Sequence, residues 1–79
     1  MYDYTICDSP SESYFQKQCS ALEKKMEGLK KEPLLEDVDG SLTQIYRHKK
    51  GRIKVCNDYY TGCLYVESDF DLERYFKQK

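Results

Sequence analysis

The chain has 79 residues, with 13 lysines and arginines against 14 aspartates and glutamates, one histidine and four cysteines. That length allows one domain, residues 1–79, which buries only about 60% of its unfolded surface and has little interior to spare for an enclosed active site. A net charge of −1 excludes the clearly basic composition of a chain built throughout for nucleic acid, and also the strongly acidic one of a whole-molecule nucleic-acid mimic.

Residues 2–7 alternate, with Tyr2, Tyr4 and Ile6 on one face and Asp3, Thr5 and Cys7 on the other. This reads as a short half-buried strand or an extended arm. Ser9-Pro10-Ser11-Glu12 follows as a helix start, with Ser9 as N-cap, Pro10 in the first helical position and Glu12 reaching back as a capping-box acid. The helix is expected to run to Lys30 or Lys31, because Pro33 forbids much more. Its apolar stripe is Phe15, Cys19, Leu22, Met26 and Leu29, spaced 4-3-4-3 on one face.

Residues 32–41 form an acidic connector carrying Glu36, Asp37, Asp39 and Gly40. Leu34, Leu35 and Val38 would pin it to the body. From Leu42 the period changes to two. Leu42–His48 reads as a strand, Lys49-Lys50-Gly51 as a tight turn and Arg52–Cys56 as a second strand with Ile53 and Val55 inward. Asn57–Gly62 is a longer turn and Cys63–Glu67 a third strand. Ser68 would cap a final helix, with Asp69 and Asp71 in its first turn and Leu72, Tyr75 and Phe76 on the core side. The expected fold is α+β: a long N-terminal helix, a three-stranded antiparallel meander, with or without a fourth, N-terminal strand, and a short C-terminal helix, with one sheet face left open.

The order helix, three strands, helix resembles the double-stranded-RNA-binding domain in topology. That family places a basic cluster at the start of its second helix, against phosphates. Here the matching stretch is Glu67-Ser68-Asp69-Phe70-Asp71, which would repel RNA, so the family's function does not carry over.

Charge is uneven along the chain. Residues 1–40 hold five lysines and nine acids, whereas residues 41–79 hold eight bases and five acids. The sharpest feature is the window from Arg47 to Lys54, with five positive charges and no acid, leading into Tyr59 and Tyr60. A concentrated charge beside aromatics is a binding surface in the making. The candidate contacts are Arg47, Lys49, Lys50, Arg52, Lys54, Tyr59 and Tyr60. Their structural alternative is a solvated lysine turn that guards a sheet edge, with tyrosines filling a core that has no tryptophan.

Cys7, Cys19, Cys56 and Cys63 have no metal-site spacing, and His48 is the only histidine, so neither a metal nor any other cofactor is expected. The cysteines read as reduced small hydrophobes, with a cross-strand Cys56–Cys63 disulfide geometrically open. No catalytic motif appears, and the chain is not expected to be an enzyme. The first residues show no signal-peptide pattern and no apolar run approaches the roughly 20 residues of a bilayer span, so the expected setting is cytoplasmic.

The function expected is a protein-binding module that occupies a surface of a larger protein. The target surface would be acidic or nucleic-acid-binding. The role would be that of an inhibitor of the phage or mobile-element type, such as an anti-CRISPR. Direct nucleic-acid binding through residues 47–54, with Tyr59 or Tyr60 stacking on a base, is the alternative. A homodimer formed through the Phe15–Leu29 stripe ranks third.

Overall fold

The computed structural model describes residues 2–73. Six strands form one antiparallel sheet: β1 (Tyr2–Cys7), β2 (Lys30–Lys31), β3 (Leu35–Glu36), β4 (Leu42–His48), β5 (Gly51–Asp58) and β6 (Cys63–Ser68). Their order across the sheet is β1-β6-β5-β4-β2, with β3 also pairing with β4. The single helix among the described residues, α1 (Glu12–Lys25), carries the chain from β1 at one edge to β2 at the other. This corrects the expected architecture of two helices and a three-stranded meander.

The helix is shorter than its apolar stripe implied. Ser11, not Ser9, is the N-cap. Its Oγ accepts from Tyr14 N at 3.3 Å, and its own N–H donates to Asn57 Oδ1 at 2.8 Å. A sheet side chain therefore fixes where the helix begins. At the other end Met26 is already extended, and Gly28, at φ +81°, turns the chain back. Lys30 and Lys31 then pair with Arg47 and Tyr46 on β4. The unpaired edge of β4 offered these residues hydrogen bonds that one more helical turn would have forfeited.

Phe15, Cys19, Leu22 and Met26 pack on Tyr46, Ile53, Val55, Leu64 and Val66, and Leu29 joins them half-buried. The stripe thus lies inside the core, which removes it as a surface for a second copy. Tyr46 is fully buried, and its hydroxyl donates to Glu23 Oε2 at 2.5 Å. Glu23 also pairs with Lys31 Nζ at 3.3 Å. The bond from Tyr46 holds the Glu23 carboxyl below its ordinary range, while burial pushes the Tyr46 hydroxyl well above its own.

β1 departs from strict alternation. Tyr4 lies opposite Val66, but a bulge between Thr5 and Cys7 sets Cys7 opposite Leu64, so Cys7 joins the helix-side core rather than the open face. The Tyr4 hydroxyl donates to Asp71 Oδ1 and accepts from Leu72 N, both at 2.8 Å, which anchors the segment after β6.

The expected C-terminal helix is corrected at its start. Ser68 ends β6, and Asp69 continues the pairing, with its N–H donating to the Arg52 carbonyl at 3.0 Å and its Oδ2 accepting from Arg52 N at 3.0 Å. Leu72 is buried in the core. Tyr75 and Phe76, also assigned to that helix, lie outside the described residues. No helix among the described residues is long and apolar enough to cross a membrane.

Candidate functional site

Only one sheet face carries the helix. Strand pairing sets the rows on the other face: Thr5, Tyr65, Cys56, Thr43 and Leu35 in one, Asp3, Glu67, Lys54 and Ile45 in the next, and Arg52, Arg47 and Lys30 in a third. This open face joins two ends of different character.

The first end is the basic hairpin. Lys49 and Lys50 form its two-residue turn, exposed, with Lys50 N donating to His48 Nδ1 at 3.1 Å. The His48 ring lies 5.4 Å from that of Phe70, which supports the turn from the helix side. Gly51 closes it at φ +146°, a conformation open to glycine and to little else. Arg47 and Arg52 stand directly opposite each other, and Lys30 stands opposite Arg47 on the far side. Arg47 Nε donates to Glu32 Oε2, and Lys54 Nζ pairs with Glu67 at 3.4 Å. Arg52, Lys49 and Lys50 form no ion pair among the described residues. The acids from Glu67 to Asp71 have other work: Glu67 meets the Lys54 ammonium, Asp69 the Arg52 backbone N–H and Asp71 the Tyr4 hydroxyl.

The second end holds Tyr59 and Tyr60, in the turn between β5 and β6. The eight residues of β5 separate them from Lys49 and Lys50, a span on the order of 25 Å at strand rise. The seven candidate contacts therefore divide between two ends of the sheet. Beside the tyrosines lies the β3–β4 turn, which belongs to the acidic connector of residues 32–41. Ser41 ties the two turns together, since its Oγ accepts from Tyr59 N at 2.9 Å and donates to Asp58 Oδ1 at 3.5 Å. Asp58 Oδ1 also accepts from Tyr60 N at 2.9 Å. Asp39 Oδ1 accepts from Ser41 N at 2.9 Å, which holds the Asp39 carboxyl below its ordinary range. Asp39-Gly40 is a hairpin dipeptide, and that was the available signal for this pairing.

Between the ends, a cavity of about 330 Å³ opens on the sheet face, lined among others by Leu35, Glu36, Asp37, Cys56, Asp58 and Tyr65. Burial and the Cys56 thiol beside it push the Tyr65 hydroxyl above its usual value. Asn57 also lines the cavity, and its buried Nδ2 has no partner among the described residues. All four cysteines are free. Cys56 lies opposite Tyr65 and Cys63 opposite Asp58, so the two are out of register for a disulfide. No group of three metal-ligating side chains forms among the described residues.

No protein-family model matches the chain, and neither a curated protein nor a solved structure matches it.

Proposed function

We propose that this chain is a small protein-binding module that acts by occupying a surface of a larger protein, as an inhibitor does. Its contacts are Arg47, Lys49, Lys50, Arg52 and Lys54, at the basic end of the open sheet face. The observation that carries this reading is the row Arg52, Arg47, Lys30, which sets like charges opposite one another across three strands. Such pairs destabilise a sheet by a few tenths of a kcal/mol each. Among the described residues, only Arg47 of the three has its side-chain cation on a carboxylate, that of Glu32. An external anionic surface would relieve the rest.

The partner's chemistry is argued from the same face. Asp3, Glu32 and Glu67 stand among its bases, and carboxylates so placed oppose a continuous phosphate backbone but complement a protein surface of mixed charge. Base stacking by Tyr59 or Tyr60 would require a strand to run the full length of β5 past those acids.

The test is capture from source-cell lysate by the tagged chain, with and without nuclease. A stoichiometric protein that survives nuclease and is lost with Lys50→Glu/Arg52→Glu supports the proposal. Recovery of nucleic acid, with every protein lost on nuclease treatment, would replace it with direct nucleic-acid binding.

A further inference from the structure

We infer that the cavity beside the Tyr59–Tyr60 turn is a second docking site, one that takes an arginine side chain from a basic protein segment. It shares only Lys54 with the hairpin contacts and goes beyond that reading.

The cavity wall matches the two halves of an arginine. Leu35, Cys56 and Tyr65 provide an apolar surface for the stem, while Asp37 and Asp58 provide carboxylates for the planar guanidinium. Lys54 also lines the cavity, but its ammonium is held by Glu67.

The rim independently marks an interface. Val38 is 103% exposed, Tyr60 91% and Tyr59 49%, while Leu35 is 54% exposed. Single exposed apolar residues need no explanation, but here three belong to two adjoining turns and Leu35 to the strand that leads into one of them. The bonds through Ser41 fix these turns in advance, which lowers the ordering cost of binding. Tyrosines held on rigid turns are the usual anchors of protein recognition surfaces.

Charge selects the occupant. Residues 36–41 and 57–62 carry the carboxylates of Glu36, Asp37, Asp39 and Asp58 and no base. Nucleic acid and acidic protein are repelled, whereas a segment bearing arginine is attracted. Arginine suits the site better than lysine because its weakly hydrated fork can span two carboxylates.

The test is selection of a random-peptide display library on the immobilised full chain, followed by affinity measurements with a synthetic copy of the enriched peptide. Arginine flanked by apolar residues is expected to dominate. Asp37→Asn/Asp58→Asn, which keeps the acceptor oxygens, and Tyr60→Ala should each weaken binding by about tenfold or more, with Tm unchanged. Lys50→Glu/Arg52→Glu should leave it intact. The inference is overturned if no peptide is enriched, if the enriched peptides lack arginine, or if the cavity variants bind as well as the parent. It is overturned equally if the hairpin variant loses the peptide too. Sedimentation of the chain alone supplies the last arm: a dimer dispersed by Asp37→Asn/Asp58→Asn would make a second copy the occupant instead.

Discussion

Gly51→Ala tests the geometry that holds the basic turn. A Cβ at this position would lie 2.6 Å from Asp69 Cβ and 3.1 Å from Asp69 Oδ2. Asp69 cannot swing aside as a flexible side chain would, because its N–H and its carboxylate both bind the Arg52 backbone at 3.0 Å. Holding a non-glycine residue near φ +146° costs about 1–3 kcal/mol. Loss of one Asp69 bond adds about 0.5–1.5 kcal/mol. The sum is about 1.5–4.5 kcal/mol, a large part of the roughly 5–15 kcal/mol of a typical domain. Urea unfolding reads this directly, and Tm should fall by about 4–8 °C for each kcal/mol in a domain of this size. Gly28→Ala is the control: φ is +81° and nothing lies within 4 Å of the added carbon, so only backbone strain of about 1–2 kcal/mol applies. A Gly51→Ala protein within about 0.5 kcal/mol of the parent, or more stable than Gly28→Ala, would refute the reasoning.

Leu22→Ala, at a core position 2% exposed, should cost about 2–5 kcal/mol in denaturant unfolding, which measures the helix-on-sheet packing. Tyr46→Phe should cost about 0.5–1.5 kcal/mol through loss of the bond to Glu23. It should also flatten the acid limb of the stability profile. A carboxyl held below its ordinary value contributes stability above that value and loses it as pH falls through the native one, so the parent should weaken more steeply than the variant on acidification below the ordinary glutamate range. Alkylation of the native protein should modify the half-buried Cys7 and Cys63 before the buried Cys19 and Cys56, read by peptide mass spectrometry. Mild oxidation should yield no Cys56–Cys63 bridge, since the register places them opposite other residues.

Strand periodicity between residues 42 and 67 was legible because each inward residue there meets a helix residue or a neighbouring strand. Ile53 and Val55 are fully buried as their alternation implied. The helix boundaries were less legible, because they depend on residues distant in the chain. Asn57 selects Ser11 as the cap, and the open edge of β4 draws Lys30 and Lys31 out of the helix. Local signals at Ser9 and Pro33 contain neither fact. The bulge at Ile6 was hidden for the same reason, since strict alternation cannot show where β6 shifts register. At the site, the basic window read correctly as a hairpin tip with Lys49 and Lys50 in its turn. Its separation from Tyr59 and Tyr60 follows from β5 continuing through Asn57 and Asp58, two turn-forming residues recruited into the strand, Asn57 by pairing on both sides and Asp58 by pairing with Cys63. Of the carboxylates beside those tyrosines, Asp58 is their neighbour in sequence, whereas Asp37 and Asp39 come from a segment about 20 residues earlier and meet them only through β3–β4 pairing.

The most direct test of the central claim, that this chain works by binding protein through the basic end of its open face, is a paired capture experiment. Parent and Lys50→Glu/Arg52→Glu chains of equal Tm are presented to nuclease-treated lysate and compared by quantitative mass spectrometry. The account predicts a stoichiometric protein on the parent that is depleted by about tenfold or more on the variant. Equal capture by both chains, or nothing but nuclease-sensitive material on either, would contradict it.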